Sequence, residues 1–570
     1  MGDIGNEGSM DFDLIIKNAT IVTASEVLQP GLSIGIKNGI IVAIALFLPV
    51  GASTKVVDAE GAYVTPGGVD SHVHLHQDNA PTGDKWLTGS RSALAGGTTT
   101  ILAFATQSRT QESLFPVVKE YHSRADGQSY IDYGFHLILT KPTEKILQHE
   151  LKAMVDQEGI TSVKLYMTYP AMKLGDGDML EIMMQARALG VTTMIHAENS
   201  DMIDMITSRL LRNSRTLPKY HAIARPQIAE SEATNRAISL STLTSTPILI
   251  VHMSSPVAIS HARKAQSKSL LPVHAETCPH YLYLLSSKLA ATSVPAALAP
   301  EPHSPSHSPS HSPSHGGGEE EEEEVEDEWA GARHVCAPPL RHSTSDLQSI
   351  WDAMLNGTIT TVSSDHAPSL YNSPGGKRKP LIDAAASQTV PTFAQIPNGL
   401  PGLETRLPLL FDAATNVDTP PSRRLSLPKF VELTSTNPAR LYGLSGRKGT
   451  IAPGFDADIT IWYPSPGHTG VAEGGLTITN DMLHHSIDYT PFEGVKVCNW
   501  PRYTILRGEV KWDRDVELRE GHGRGILGSP GDGRYLKRGK GEVLVGRTGQ
   551  LPPGMREGER DEWAVWATHD

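Results

Sequence analysis

MLEIMMQARALGVTTMIH, residues 179–196, decides the fold. An amphipathic segment, Met179 to Leu189, is followed at once by a short apolar run, Val191-Thr192-Thr193-Met194-Ile195-His196. The unit repeats. Ile228 to Leu243 precedes Pro247-Ile248-Leu249-Ile250-Val251-His252. Similar runs are Thr99–Phe104, Gly134–Leu139, Ser162–Tyr166 and Ile359–Asp365. Short apolar runs alternating with helical stretches read as β-then-α units. Sustained over residues 66–445, they predict a (β/α)8 barrel with insertions. A doubly wound parallel sheet is the structural alternative.

Outside this region the pattern is short strands. Phe12–Ile16, Ala19–Val22 and Ser33–Lys37 come first, and Asn38-Gly39 is a strong hairpin signal before Ile40–Ile44. Strands return at Asp458–Trp462, Thr504–Gly508 and Glu509–Trp512. Residues 12–65 and 446–520 are therefore expected to join into one small β-sandwich domain, with 521–570 as an extended tail. Residues 300–328 contain HSPSHSPSHSPSH, three glycines and an acidic run; they cannot bury an apolar face and are expected to be a disordered insert.

The chain has 570 residues and a net charge of −13, nine of the negatives lying in the run from Glu319 to Glu328. The remainder, roughly −4, offers no basic face for nucleic acid. Three scattered cysteines, Cys278, Cys336 and Cys498, make no disulfide framework and point to a reducing compartment. The longest apolar run, Ile40 to Leu48, is far too short to span a membrane. No signal peptide is legible, so the cytoplasm is expected.

Metal-ligating side chains recur at the ends of the strand runs. In His72-Val73-His74 the period of two puts both imidazoles on one face, an arrangement that suits a divalent transition metal. His196, His252 and Asp365 end later runs, and Lys164 lies within Ser162–Tyr166. Singly, each has an ordinary structural reading: a strand-end His packs, and an Asp before His-Ala-Pro caps a turn. Lys164 resists that reading, because a lysine inside an apolar strand is strongly disfavoured unless paired. Barrel active sites lie at the C-terminal strand ends, so all six would meet at one mouth.

Asp70-x-His72-x-His74, Val163–Met167, His196-Ala197-Glu198-Asn199, His252-Met253-Ser254-Ser255 and Ser364–Pro368 together resemble the motif series of the dihydropyrimidinase/hydantoinase family of cyclic amidohydrolases. Supporting stretches include Ala95–Thr99, Glu276–Tyr281, Ala337–Arg341, Pro397–Gly399, Asn437–Ala439, Lys448–Ile451, Gly454–Asp458 and Tyr489–Pro491. The resemblance covers residues 12–520 apart from the insert. It implies two Zn2+ per chain, bridged by N6-carboxylated Lys164 and a hydroxide. His72, His74 and Asp365 would complete one zinc, His196 and His252 the other. It implies further that Asp365 shuttles the proton, that Tyr169 donates to the oxyanion, and that Ala337 and Asn398 help to hold a cyclic imide or ureide. A homotetramer, a small-molecule substrate, and neither nucleic acid nor membrane as partner complete the expectation.

Rival readings remain at this point. Dihydroorotases usually carry an Arg shortly after HxH, where this chain has Leu75-His76-Gln77-Asp78. Tyr169 favours the hydantoinase over the allantoinase branch. His196-x-Glu198 suggests a zinc deaminase, but no Pro-Cys-x-x-Cys partner exists. A non-catalytic scaffold relative would have replaced several ligands, and all six are present.

Overall fold

The computed structural model describes residues 11–542 except 79, 268–271, 296–297, 299–323 and 465–474. Eight parallel strands form one sheet: β1 Gly68–Val73, β2 Thr98–Thr106, β3 Asp132–Ile138, β4 Ser162–Tyr166, β5 Thr192–His196, β6 Ile248–Ile250, β7 Val273–Thr277 and β8 Thr361–Val362. Each pairs with the next in sequence order. Closure comes just beyond β8, where Val73 bridges His366 and the His74 N–H donates to the His366 carbonyl at 2.8 Å. The fold is a (β/α)8 barrel, and the doubly wound alternative is excluded by this closure.

Strand periodicity decides what faces the axis. Leu102 and Phe104 of β2, Tyr166 of β4 and Met194 of β5 share one inner cluster with Val69, Ile138 and Leu249. Their neighbours Ile101, Ala103, Val163, Leu165 and Ile195 belong to the outer core, under helices such as Asp176–Leu189 and Gln227–Thr244. Lys164 and His196 therefore share the inward parity of Tyr166 and Met194. The last strand is shorter than the sequence suggests: the run to Asp365 leaves the ladder after Val362, and Asp365 adopts φ +46°.

A second, eight-stranded sheet joins both ends of the chain. Its order is Glu509–Asp513, Pro501–Leu506, Ile459–Trp462, Tyr63–Pro66, Leu14–Ile21, Leu32–Lys37 and Ile40–Ala45, with Lys55–Asp58 beside Leu14–Ile21. The far strand comes back to the C-terminal segment, since Ile40 bridges Asp456 and the Ala457 N–H donates to Gly39. Asn38 and Gly39 take φ +51° and +77°, the conformation a two-residue I′ turn requires. Tyr63–Pro66 runs directly into β1 through Gly67, where an added Cβ would lie 2.3 Å from Thr99. The sandwich and barrel are thus locked along one chain segment.

One expectation needs correction, at the insert. Residues 300–323 of the expected disordered insert lie outside the described residues, but Glu324–Glu326 form a two-stranded ribbon with Ser293–Pro295. Asp327 then accepts from Tyr371 Oη at 2.6 Å and pairs with Arg378. The tail runs extended but is not loose as far as residue 542. Its backbone pairs with Tyr133, Gly159 and Gly443, and Arg538 is buried, donating to the carbonyls of Phe135 and Tyr442. The segment Leu441–Leu444 and Leu536 share the inner apolar cluster of the barrel. Residues 543–570 lie outside the described residues.

Candidate active site

All nine residues singled out in the sequence are brought together. Of these, His74, Lys164, Tyr169, His196, His252, Ala337, Asp365 and Asn398 line one cavity of about 180 Å³ at the C-terminal strand ends. His72 stands in its wall, fully buried. The ligand atoms of His72, His252 and Asp365 lie within 4.8 Å of one another. The rings of His196 and His252 are 4.4 Å apart, and those of His72 and His252 5.3 Å.

Each imidazole except that of His252 has one nitrogen tied back by a side-chain oxygen. His72 Nδ1 is 2.6 Å from Glu276 Oε1, His74 Nδ1 is 3.0 Å from Gln77 Oε1, and His196 Nε2 is 2.8 Å from Glu198 Oε2. Such contacts fix ring orientation and leave the other nitrogen for the cavity. Accordingly His72 Nε2 and His74 Nε2 lie 3.2 and 3.5 Å from Asp365 Oδ1. His252 Nδ1 is buried without a hydrogen-bond partner. Burial lowers the proton affinity of all four rings, and the nearby Lys164 adds to it, so they are neutral at physiological pH.

Lys164 is the anomaly of the cluster. Its Nζ lies 2.6 Å from His72 Nε2 and over the rings of Phe104 and Tyr166, at 4.4 and 5.0 Å. Among the described residues no carboxylate forms an ion pair with it. Burial lowers its pKa to about 8, against the weaker pull of Asp365 and Glu276. Glu276 moves the opposite way: burial raises it to about 8. Its contact with His72 is thus a hydrogen bond between ring and carboxyl rather than an imidazolium–carboxylate pair. For Asp365, burial is outweighed by His74 and Lys164, which keep it ionised.

Tyr169 stands opposite, 5.5 Å from the His196 ring, with burial raising its pKa and holding the phenol protonated. Asn398 Nδ2 approaches its hydroxyl at 3.4 Å, while Asn398 Oδ1 is buried without a partner. Tyr169, His252 and Asp365 all have positive φ, +66°, +40° and +46°. For non-glycine residues this region is strained, and with His76 at +50° four residues of one cavity lining adopt it, which marks a functional site.

Sequence reasoning missed the residues behind the site. Arg225 Nη1 pairs with Glu198 Oε2 at 2.6 Å and its guanidinium lies 5.3 Å from the Tyr169 ring centroid. Arg341 Nη2 pairs with Glu230 Oε2 at 2.5 Å. Asp70 pairs with Arg406 at 3.1 Å and accepts from the Ser364 N–H, tying β1 to the segment that carries Asp365. Glu276 alone was legible in principle, as a buried acid ending an apolar strand, by the argument that exposed Lys164.

Comparison with known proteins agrees with this architecture. The Amidohydrolase family model matches residues 63–511. The chain is 36% identical to a D-hydantoinase of Ralstonia pickettii over 531 residues, covering 93% of this chain and 99% of that one. It is 34% identical to the D-hydantoinase of Geobacillus stearothermophilus over 534 residues, covering 93% and 98%. Among solved structures, a D-hydantoinase superposes with TM-score 0.76 at 33% identity, and the dihydropyrimidinase of Brevibacillus agri with TM-score 0.75 at 33% identity. Each covers 92% of this chain and 99% of its own. Barrel, inward ligand parity and near full-length similarity agree: the chain belongs to the amidohydrolase family, among its hydantoinase-like cyclic amidohydrolases.

Proposed function

We propose that this enzyme opens the cyclic amide bond of hydantoins and dihydropyrimidines to give N-carbamoyl amino acids, at a pair of zinc ions bridged by N6-carboxylated Lys164. The observation that carries the reading is Lys164 itself: a buried amine among neutral imidazoles with no ion-pair partner among the described residues. A pKa of about 8 leaves roughly a tenth of the amine neutral at pH 7, the form that adds to CO2. The new N–C bond releases one proton and turns a costly buried cation into an anion with two oxygens.

The donor set fits such a pair. Nitrogen and carboxylate ligands suit zinc. His252 Nδ1 is an orphaned polar atom, and nearby cations would return Glu276 to its ionised form. His72, His74, Asp365 and the carbamate would hold one ion; the carbamate, His196 and His252 the other. Bound there, the ions would polarise the ring carbonyl and lower the pKa of an attacking water toward roughly 7. The chain's own groups do the rest. Asp365 takes the water proton and returns it to the leaving nitrogen. Tyr169 donates its hydroxyl hydrogen to the carbonyl oxygen as charge builds there. Asn398 Oδ1 is free to accept from a ring N–H, and Ala337 lines the same wall.

Within the cyclic amidohydrolases, the lining favours an uncharged ring. No arginine lines the cavity among the described residues, and its lysine is Lys164. A dihydroorotase needs a cation for the substrate carboxylate. The same reading includes a homotetramer in the cytoplasm; the three cysteines are unpaired, and no described helix is long and apolar enough to cross a membrane. The test is a substrate panel on metal-analysed protein. Two zinc ions per chain and turnover of hydantoin or dihydrouracil are expected. Inactivity on every cyclic ureide and imide at full metal loading overturns the reading.

A further inference from the structure

We propose that His366 is a positioning residue for Asp365: its buried ring, oriented by Asp84, holds Asp365 in the strained backbone conformation from which it carries the proton. This role rests on that of Asp365 in the hydrolysis proposed above. Asp365 has φ +46°. A non-glycine residue keeps such a conformation only where its surroundings over-determine it. On one side the Ser364 N–H is held by both carboxylate oxygens of Asp70, each at 3.2 Å. On the other side stands His366. Its carbonyl accepts the His74 N–H at 2.8 Å, and its own N–H donates to Ser364 Oγ at 3.1 Å.

The ring is tied at both nitrogens. Nδ1 accepts the N–H groups of Gly402 and Leu403, at 3.2 and 3.3 Å. A ring nitrogen that accepts carries a lone pair, so the proton sits on Nε2 and is donated to Asp84 Oδ2 at 2.9 Å. Both side chains are fully buried. Asp84 is itself fixed: its Oδ1 accepts from Thr88 Oγ1 at 2.7 Å and from the N–H and Oγ of Ser486 at 2.9 and 2.7 Å. His366 does not line the cavity, so its ring serves the site only through its neighbours.

Three parts of the site meet at this ring. Asp365 is bonded to His366. Gly402 and Leu403 continue the wall segment that carries Asn398, and Leu400 of that segment also bridges His366. Asp84 closes the loop after His74: its carbonyl accepts the His76 N–H at 2.8 Å, and the same loop carries Gln77, the tether of the His74 ring. Asp365 has to take a proton from water and return it to a nitrogen, and a displacement of about 1 Å at such a group can cost about 10²-fold in rate.

The test uses the full-length, metal-loaded enzyme. His366→Asn sets an amide near the Nδ1 position and gives up Asp84; His366→Gln sets one near Nε2 and gives up Gly402 and Leu403. Each should lower kcat by about 10- to 100-fold with KM changed far less. Placed on Asp365→Ala, neither should cost anything further, because His366 acts through Asp365. An unchanged kcat in both variants, or a loss that multiplies that of Asp365→Ala, overturns the positioning role. Crystal structures of the variants supply a readout that needs no substrate. Asp365 should leave its positive φ, or its carboxylate should shift by more than about 0.5 Å relative to His72 and His74. An unmoved Asp365 in both overturns the role. Inactivity of the wild type on every cyclic ureide is a separate result, which counts against the hydrolysis and leaves the structural arm to decide on His366. If a ring variant fails to fold, Asp84→Asn, which sets an NH2 against one of the four donors that Asp84 now accepts, is read by the same measures.

Discussion

Lys164→Ala is the substitution that separates a bridging carbamate from an incidental buried amine. Metal content should fall with activity, to background, and short carboxylic acids such as propionate should restore part of both by entering the space left. Normal turnover in that variant ends the bridge model. Tyr169→Phe removes one O–H donor and should lower kcat by about 10²–10³-fold, with metal content and fold intact. Glu198 gives a pH signature. Burial raises its pKa, but Arg225 and His196 outweigh it and hold the carboxyl at about 2, against 4.5 unfolded. A depressed pKa stabilises above the unfolded value, so about 3 kcal/mol is present at pH 6 and lost as pH falls from 4.5 toward 2. Denaturant titrations across that window should show this slope in wild type and not in Glu198→Gln. The candidate ligands were legible as a group because histidine, lysine and aspartate in or at the ends of apolar runs violate strand composition. Gln77 and Glu198 break no such rule; Glu276 does, as an acid in an apolar strand, but its partner stays hidden, because the His72–Glu276 contact spans 204 positions and no local pattern reports it.

At the scale of elements, period-two alternation did most of the work. It puts His72 and His74 on one face, and the same period accounts for the inward parity that Lys164 and His196 share with Tyr166 and Met194. It fails at β8, because positive φ at Asp365 ends the ladder early, and conformational strain leaves no trace in apolar periodicity. It also says nothing about the wall formed by loops. That wall rests on Lys377, fully buried, whose Nζ donates to the carbonyls of Val335, Pro397 and Gly399 at 2.9, 2.7 and 2.6 Å. Ala337 and Asn398 lie within two residues of these acceptors. Lys377→Met would take the side-chain donor from the Pro397 and Gly399 carbonyls, while Val335 keeps the Gly399 N–H, at a cost of about 2 kcal/mol or more. KM should rise several-fold while zinc content stays constant, since no proposed ligand touches Lys377. Loss of metal in this variant would show that the wall and the ligand cluster are one unit. Gly399 is constrained in the same wall: its φ is +123° and an added Cβ would lie 2.0 Å from the Ala367 carbonyl oxygen.

Over the whole molecule, composition predicts where the chain leaves the barrel better than what it does there. A Gly-, Arg- and Pro-rich tail reads as extended; as far as residue 542 it is docked on the barrel, and that docking depends on Arg538 entering a buried site, which composition does not encode. The acidic run likewise reads as uniformly solvated, yet its end is structural. Asp327 is nearly buried and takes hydrogen bonds from Tyr371 and Arg378, while Pro295 and Glu324 face each other across the ribbon. The ends of the intervening segment are therefore held side by side by the body of the protein. Replacing residues 301–322 with a short Gly-Ser link should leave kcat/KM within about twofold, because a loop closed at a paired base adds only a slowly varying entropy. Carrying the excision through Asp327 removes the acceptor of a fully buried tyrosine and the partner of Arg378. That longer deletion should lose about 1–3 kcal/mol in denaturant unfolding. Equal stability of the two deletions would mean that the Asp327 contacts do not hold the insert's base. A large loss of turnover in the shorter one would assign the low-complexity segment a part in catalysis.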